Sequence, residues 1–238
     1  MLLFFVRHGQ PIYDPDSLTP LGRRQAESVA RRLSLFGIDR VFASTSRRAI
    51  ETSRPTCDIL RLEPTLLDWI NESHAWEELS VETGHGRHWC YADPSFLRLF
   101  ADPSVRALGE RWHEHPAFAG HPSFGASMRR MRAAVDEWTA SLGLRHNPQS
   151  GLYEIERPSD ERIALFAHEG AGILFLSTLL DIPYPVFAPH FTMQHTGMTV
   201  IEFQDLGGFT APRVLQLSGD AHLYRDGLPL RYQDRLRF

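Results

Sequence analysis

Four short segments of the 238-residue sequence each carry a charged or imidazole side chain that could act on an anion. They supply basic groups from VRHG (Arg7, His8) and SRRAIET (Arg48), a carboxyl group from DWINE (Glu72) and a second imidazole from FAHEG (His168). Guanidinium groups match phosphate oxygens, an imidazole can be a nucleophile, and a carboxyl group can transfer a proton. Any one of these residues alone would ordinarily be surface or structural. Together they predict an anion site that suits phosphate.

The secondary structure predicted around these segments brings them to one edge of a sheet. LLFFV, DRVFAS, PTLLDW and ERIALFAH are short apolar runs typical of buried strands, and GMTVIEF and PRVLQL add two more near the end. Helical patterns follow three of them: one capped by Thr19 and begun by Pro20, one bent or interrupted at Pro55, and the apolar GAGILFLSTLLDI. This alternation indicates a mostly parallel sheet, whose ligands bind at the carboxyl ends of its strands.

The middle of the chain breaks the alternation. It is rich in Trp, His, Pro and Gly, and contains one clear helix in which Met128, Met131, Val135 and Trp138 form an apolar stripe. We therefore predict one domain over residues 1–238. It is a three-layer α/β/α sandwich with a mostly parallel sheet and a mainly helical cap inserted at about residues 73–160.

Composition restricts the class of partner. The net charge is −4, so no overall basic field draws the protein to nucleic acid or a membrane. No apolar run approaches the roughly 18 residues of a membrane span, and MLLFFVR is too short for a secretory signal. Two cysteines form no disulfide framework. We expect a cytoplasmic protein, and its oligomeric state stays open.

Two other phosphate-handling sites are disfavoured by spacing. A cysteine phosphatase needs an arginine six positions after its cysteine, where Cys57 meets Glu63 and Cys90 meets Phe96. An aspartyl phosphatase needs its first Asp at a strand end. Asp14 lies seven residues beyond Arg7, so YDPDS is interpreted as a turn.

WHEHPAFAGH is the one segment that suggests a metal. His113, Glu114, His115 and His121 include the residue types that bind zinc. Their spacing on a Pro- and Gly-rich loop matches no structural zinc pattern, so we predict no metal site. A cap loop whose histidines touch the substrate is the preferred interpretation.

The motifs resemble those of the histidine phosphatase superfamily, which includes the cofactor-dependent phosphoglycerate mutases. Arg7, His8 and Gly9 match its Arg-His-Gly tripeptide, and LTPLGRRQA resembles the start of its first helix. SRRAIET is similar to its Arg-Ala-x-x-Thr signature and assigns the arginine to Arg48 rather than Arg47. ALFAHEG resembles the segment that carries the second histidine, His168. The resemblance covers roughly residues 1–80 and 160–220.

This resemblance implies hydrolysis of a phosphate monoester of a small metabolite through a phosphohistidine. Neutral His8 attacks phosphorus, while Arg7, Arg48 and a protonated His168 hold the equatorial oxygens. Gly9 allows the backbone to approach the phosphate closely. Because the pocket carries its own positive charge, neither a metal nor another cofactor is expected.

The general acid is assigned to Glu72, which would protonate the leaving alkoxide and then activate water. Glu77 and Glu78 in the same segment are the alternatives. Glu72 is preferred because it comes soonest after the third predicted strand.

Two alternative functions use the same pocket. A mutase must be primed by a bisphosphate, and the Trp-Asn pair that the family's mutases carry after Arg-His-Gly is absent from GQPIYDPD. A phosphate-binding module without turnover is the other, although all four core residues are present. Glu169, where the family frequently has Gly, is expected to put a carboxylate near the pocket mouth.

Overall fold

The computed structural model describes residues 1–84 and 86–230. Its strands are β1 Leu2–Arg7, β2 Pro11–Tyr13, β3 Asp16–Leu18, β4 Arg40–Ser44, β5 Pro64–Leu67, β6 Ser80–Thr83, β7 Gly86–Trp89, β8 Leu144–Asn147, β9 Leu152–Ile155, β10 Arg162–Ala167, β11 Met198–Glu202, β12 Phe209–Thr210 and β13 Arg213–Gly219. Its helices are α1 Pro20–Ser34, α2 Arg47–Leu60, α3 Glu72–Leu79, α4 Pro94–Ala101, α5 Pro103–Arg106, α6 Pro122–Ser141, α7 Gly170–Leu179, α8 Tyr184–Phe187 and α9 Ala221–Arg225.

Six strands form the central sheet in the order β13-β11-β1-β10-β4-β5. The pairs β1–β10, β10–β4 and β4–β5 are parallel, whereas β11 and β13 run antiparallel at one side. β1 and β10 are buried along nearly their whole length, as expected of parallel strands covered on both faces. Their register pairs Arg7 with Ala167, so the residues that follow each strand emerge at the same edge.

Helices cover both faces of this sheet because successive strand residues point in opposite directions. Phe4 and Val6 pack with α1 and α2, in a cluster that includes Val29. Leu3 and Phe5 face the other side, where α6 and α7 lie. The predicted three-layer α/β/α fold is confirmed.

A capping residue and a proline mark the start of α1. The Thr19 hydroxyl accepts a hydrogen bond from the Gly22 amide at 3.0 Å and caps α1, and Pro20 is its first residue. Helix α2 runs through Pro55 as one element, so the predicted interruption there is not seen. Buried residues on both sides of the proline, including Thr52 and Thr56, hold α2 against its neighbours.

The segment between β5 and β10 is mainly helical, as predicted. The apolar stripe of α6 faces inward, with Met131 and Val135 fully buried, and joins the same core cluster as α7. α3 begins at Glu72, one residue before the insertion boundary that the sequence suggests. The domain limits remain a prediction, and residue 85 and residues 231–238 lie outside the described part of the chain.

In the described ranges, no single helix is long and apolar enough to span a membrane. α7 together with residues Tyr184–His190 passes that test only as a pair bent by 118°. Every residue of α7 is buried in the core, which accounts for its apolar composition.

Candidate active site

His8 lies directly after β1, and its side chain is almost completely buried. The backbone amide of His8 donates to Ala167 at 2.8 Å, and ring Nδ1 is 2.7 Å from the Gly9 carbonyl oxygen. Because a carbonyl only accepts, Nδ1 carries the proton and the lone pair lies on Nε2. Burial, together with the nearby His168 and Arg7, lowers the pKa of His8 well below its usual value. The ring is therefore neutral at pH 7, as a nucleophile must be.

Arg7 is the last residue of β1 and is held by two oxygens. Its Nη1 donates to the Met193 carbonyl at 2.6 Å and lies 2.8 Å from Oε2 of Glu169. The Nε–H group is buried and has no hydrogen-bond partner among the described residues. A buried donor without a partner is unfavourable and is readily explained by an anion that it would bind.

Arg48 lies in the first turn of α2 and repeats this arrangement. Its Nη1 donates to Oδ1 of Asp16 at 2.9 Å, and its guanidinium lies 5.5 Å from the centroid of the Tyr13 ring. Its Nε–H is also buried and lacks a partner in the described chain. Arg47, by contrast, is 67% exposed and pairs with Glu51 on the helix surface. The geometry thus agrees with the choice of Arg48 over Arg47.

His168 follows β10 and is completely buried, with its ring centroid 5.2 Å from that of His8. Its Nε2 lies 2.8 Å from the Ser44 hydroxyl and 3.3 Å from that of Ser46, while Nδ1 has no partner among the described residues. Burial and the two arginines lower its pKa well below the usual value. The lowered pKa favours a neutral ring in the absence of an anion, and a protonated His168 that holds a phosphate oxygen stays a prediction. A neutral ring whose proton is on Nδ1 would accept from Ser44 at Nε2 and would keep one N–H group for a bound anion.

Glu72 begins α3, and its carboxyl group lies at the N-terminus of α7. The amides of Gly170 and Ala171 donate to its two oxygens at 3.0 and 2.7 Å. Burial raises the pKa of Glu72, and this effect outweighs the opposing hydrogen bonds and the two arginines. A raised pKa favours the protonated form that a general acid requires. The N-terminus of α7 therefore binds this carboxyl group, rather than the phosphate that its dipole would also attract.

The alternative acids lie elsewhere. Glu78 forms a two-point ion pair with Arg130 at 2.7 and 2.8 Å, which lowers the pKa of Glu78. Glu77 is exposed on α3. Neither is among the residues that line the pocket beside Arg48 and Glu72, so the geometry favours Glu72.

Gly9 is needed for a reason that the sequence did not reveal. A Cβ at Gly9 would lie 2.5 Å from the carbonyl oxygen of Gly22, so the glycine permits α1 to approach the loop after β1. Its amide donates to the Thr52 hydroxyl at 3.0 Å. Thr52 is the threonine of the Arg-Ala-x-x-Thr signature. The phosphate contact assigned to Gly9 stays a prediction.

The sequence analysis missed two residues of this site, His195 and Thr196, and interpreted a third, Asp16, differently. The ring of His195 lies 5.9 Å from that of His8, brought there by the chain that enters β11. The next residue, Thr196, has φ of 57°, an unusual conformation for a β-branched residue, and its amide donates to the Arg7 carbonyl. Asp16, interpreted as part of a turn, holds Arg48. No local pattern marks His195, because only tertiary packing brings it near His8.

Beside Arg48 and Glu72 is a pocket of about 380 Å³. It is lined by Tyr13, Arg48, Asn71, Glu72, Ser73, Trp76 and Trp89. The predicted substrate-contacting histidines of the cap do not line it. His115 lies 3.1 Å from the Ser104 hydroxyl, His121 stacks on Phe124, and His113 borders a different cavity.

No three His, Cys, Asp or Glu side chains within residues 1–84 and 86–230 are grouped so as to hold a metal ion. The charges that face the buried centre instead come from Arg7 and Arg48. With an imidazole nucleophile and a carboxyl group of raised pKa beside them, the arrangement can transfer a phosphoryl group to nitrogen and protonate the departing oxygen.

Comparison with known proteins agrees with this architecture. A family model of the histidine phosphatase superfamily (branch 1) matches residues 3–213. The probable phosphoglycerate mutase GpmB of Yersinia enterocolitica is 25% identical over 238 residues, spanning 93% of this chain and 94% of that protein.

Two solved structures share the fold at lower sequence identity. Phosphoserine phosphatase from Entamoeba histolytica, in complex with 3-phosphoglyceric acid, has a TM-score of 0.59 at 18% identity and covers 93% of this chain and 98% of its own. A mycobacterial glucosyl-3-phosphoglycerate phosphatase has a TM-score of 0.58 at 20% identity and covers 92% and 99%.

Proposed function

This chain belongs to the histidine phosphatase superfamily, and we propose that it hydrolyses small phosphate monoesters through a phosphohistidine on His8, without a metal. One observation carries the proposal. His8 presents the lone pair of Nε2 beside two arginines, Arg7 and Arg48, each of which keeps a buried Nε–H with no partner in the described chain. The phosphatase names of the two structural neighbours support the same reaction class.

In the first step Nε2 of His8 attacks phosphorus and the ester P–O bond breaks. Arg7 and Arg48 stabilise the charge on the equatorial oxygens, because their donors are already fixed before reaction. Glu72 gives its proton to the departing alkoxide, which leaves as a neutral alcohol. The products of this step are phosphohistidine, alcohol and the Glu72 carboxylate.

In the second step water attacks the phosphohistidine. The Glu72 carboxylate takes a proton from that water, the P–N bond breaks, and inorganic phosphate is released. His8 recovers its lone pair and Glu72 is again protonated. The raised pKa of Glu72, caused by its burial, favours the protonated form between turnovers.

The name of the Yersinia relative favours a mutase as the second candidate. A mutase would use the same nucleophile but would return the phosphoryl group to a second hydroxyl of its substrate. It would also depend on priming by a bisphosphate. The absence of a Trp-Asn pair from GQPIYDPD weighs against this candidate.

The test is phosphate release from a panel of phosphorylated metabolites by the purified protein, with and without a chelator. We expect release that a chelator leaves intact and that vanadate inhibits by occupying the phosphate site. A requirement for magnesium or zinc would contradict the metal-independent mechanism. Binding of phosphate esters without any release would favour the binding module, and isomerisation that needs a bisphosphate would favour the mutase.

A further inference from the structure

Three aromatic side chains surround the mouth of the pocket, and we call Tyr13, Trp76 and Trp89 the aromatic collar. They come from three separate elements: Tyr13 ends β2, Trp76 lies on α3 and Trp89 ends β7. All three line the same pocket as Arg48 and Glu72. The collar therefore lies beside Arg48 and Glu72, the residues that we assign to phosphate binding and to proton transfer to the leaving group.

Packing contacts hold Trp89 of the collar in place. Trp89 packs over the start of α7, where a Cβ at Gly170 would lie 2.4 Å from its ring. Tyr91 stacks on Trp89 at a centroid distance of 5.6 Å and an interplanar angle of 21°. Trp76 meets Trp89 edge to face at 5.0 Å. Trp89 is thus fixed by its contacts with Gly170, Tyr91 and Trp76, and it needs little reorganisation to receive a ring.

The other two rings are each paired with a cation. The Arg87 guanidinium lies 5.5 Å from the centroid of Trp76 and donates to the Trp76 and Glu77 carbonyls. Tyr13 is 71% exposed and lies beside Arg48. The exposed surface of Tyr13 is available to a substrate at little cost to folding.

The charge of the lining restricts the leaving group further. Arg48 is the one basic residue among the described residues that line the pocket, and it is directed to Asp16 and the phosphate site. Asn71 is already engaged with the Thr45 hydroxyl and the Ser73 amide. A second carboxylate or phosphate on the substrate would meet aromatic faces and the Glu72 carboxyl group, with no second cation among the described residues that line the pocket.

We propose that the collar selects phosphate monoesters whose alcohol carries an uncharged aromatic ring, and disfavours those with a second anionic group. The inference rests on the proposed hydrolase function and names its substrate class. A pocket of about 380 Å³ accommodates a phosphate and one ring system. Stacking and edge-to-face contacts with the three rings provide the selectivity.

The test compares kcat/KM for benzyl phosphate, ethyl phosphate and 3-phosphoglycerate. All three release a primary alkoxide, so they place similar demands on the general acid. We expect benzyl phosphate to exceed ethyl phosphate by about tenfold, as expected for one stacked ring, and 3-phosphoglycerate to be the poorest. In Trp76→Ala the benzyl-to-ethyl ratio should fall about tenfold, whereas Trp76→Phe should retain most of it.

Tyr13→Ala provides a second variant, because a side chain this exposed can be removed with little effect on folding. Its benzyl-to-ethyl ratio should also fall. The proposal is overturned if ethyl phosphate is hydrolysed as well as benzyl phosphate, if 3-phosphoglycerate is preferred, or if both variants leave the ratio unchanged.

Failure of the proposed function gives a different result. In that case the folded protein hydrolyses none of the three esters. Benzylphosphonate and ethylphosphonate cannot be hydrolysed. Their binding, measured by calorimetry, then tests the selectivity of the collar independently of turnover. Tighter binding of benzylphosphonate that is lost in Trp76→Ala supports the collar, and equal binding of the two compounds overturns it.

Discussion

The phosphate end of the pocket and the aromatic collar at its mouth are built from different parts of the chain. The phosphate end uses the last residue of β1, the residues directly after β1 and β10, and one residue in the first turn of α2, and its histidines are almost wholly buried. The collar takes one ring from the β2–β3 hairpin and two from the segment between β5 and β10, and Tyr13 is largely exposed.

The two regions also differ in what holds them. Parallel strand pairing determines where His8 and His168 lie, and burial among arginines lowers the pKa of both rings. The collar depends on ring packing, such as Trp89 over Gly170. We therefore expect the phosphoryl-transfer chemistry to depend on the sheet edge and substrate choice to depend on the collar. Changes in the first should affect every substrate, and changes in the second should alter selectivity.

The largest effect is expected from His8→Ala. Loss of the nucleophile should reduce turnover of every ester at least about a thousandfold, since nothing else in the site replaces an attacking group. In the unaltered protein, a denaturing quench during turnover should leave a phosphoryl group on His8 that is stable to alkali and labile to acid. A phosphoryl group on an aspartate or cysteine would contradict the mechanism.

Arg48→Ala should lower kcat/KM by about one hundred to one thousandfold, as loss of one preorganised donor to transition-state charge does elsewhere. The matched control is Arg47→Ala, which removes the same side chain from the neighbouring, exposed position. We expect Arg47→Ala to stay within about twofold of the unaltered protein. Equal losses in both variants would show that overall charge, and not the buried donor, is responsible.

The loss of kcat/KM in Glu72→Gln should depend on the leaving group of the substrate. Ethyl phosphate releases a basic alkoxide that needs a proton, so its kcat/KM should fall about one hundredfold. 4-Nitrophenyl phosphate, whose leaving group departs unaided, should lose only a few fold. Glu77→Gln serves as the control, because Glu77 is exposed on the same helix. If Glu77→Gln or Glu78→Gln shows the selective loss instead, Glu72 is a structural cap of α7.

The smallest effect concerns stability against pH. Burial lowers the pKa of His168 below 6.5 in the folded protein, so between these two pKa values the unfolded chain binds the additional proton. Its contribution to the free energy of unfolding is therefore complete above pH 6.5 and decreases as the pH falls through that value. In His168→Asn, which cannot titrate, the urea midpoint should decrease less between about pH 7.5 and pH 5.5. Parallel curves for the two proteins would contradict the lowered pKa.

Much of the phosphate end could be predicted because its cues are local. A strand that ends in Arg7 and His8, and a helix whose first turn carries Arg48, are visible in a few consecutive residues. The collar could not be predicted, because Tyr13, Trp76 and Trp89 share no motif or spacing. The cap histidines were assigned to the pocket from residue type alone, and the structure places His121 in aromatic packing instead.

By itself, the sequence determined the six strands of the central sheet, the helices α1, α2, α6 and α7, and the position of Arg7, His8, Arg48 and His168 at the sheet edge. Parallel pairing then follows from the apolar runs and brings the carboxyl ends of β1 and β10 together. Only the tertiary structure decided the lowered pKa of His168, the hydrogen bonds from α7 to Glu72, and the approach of His195 to His8. The physical reason is that ionisation and packing depend on burial and on neighbours far away in the chain, which no short stretch of sequence encodes.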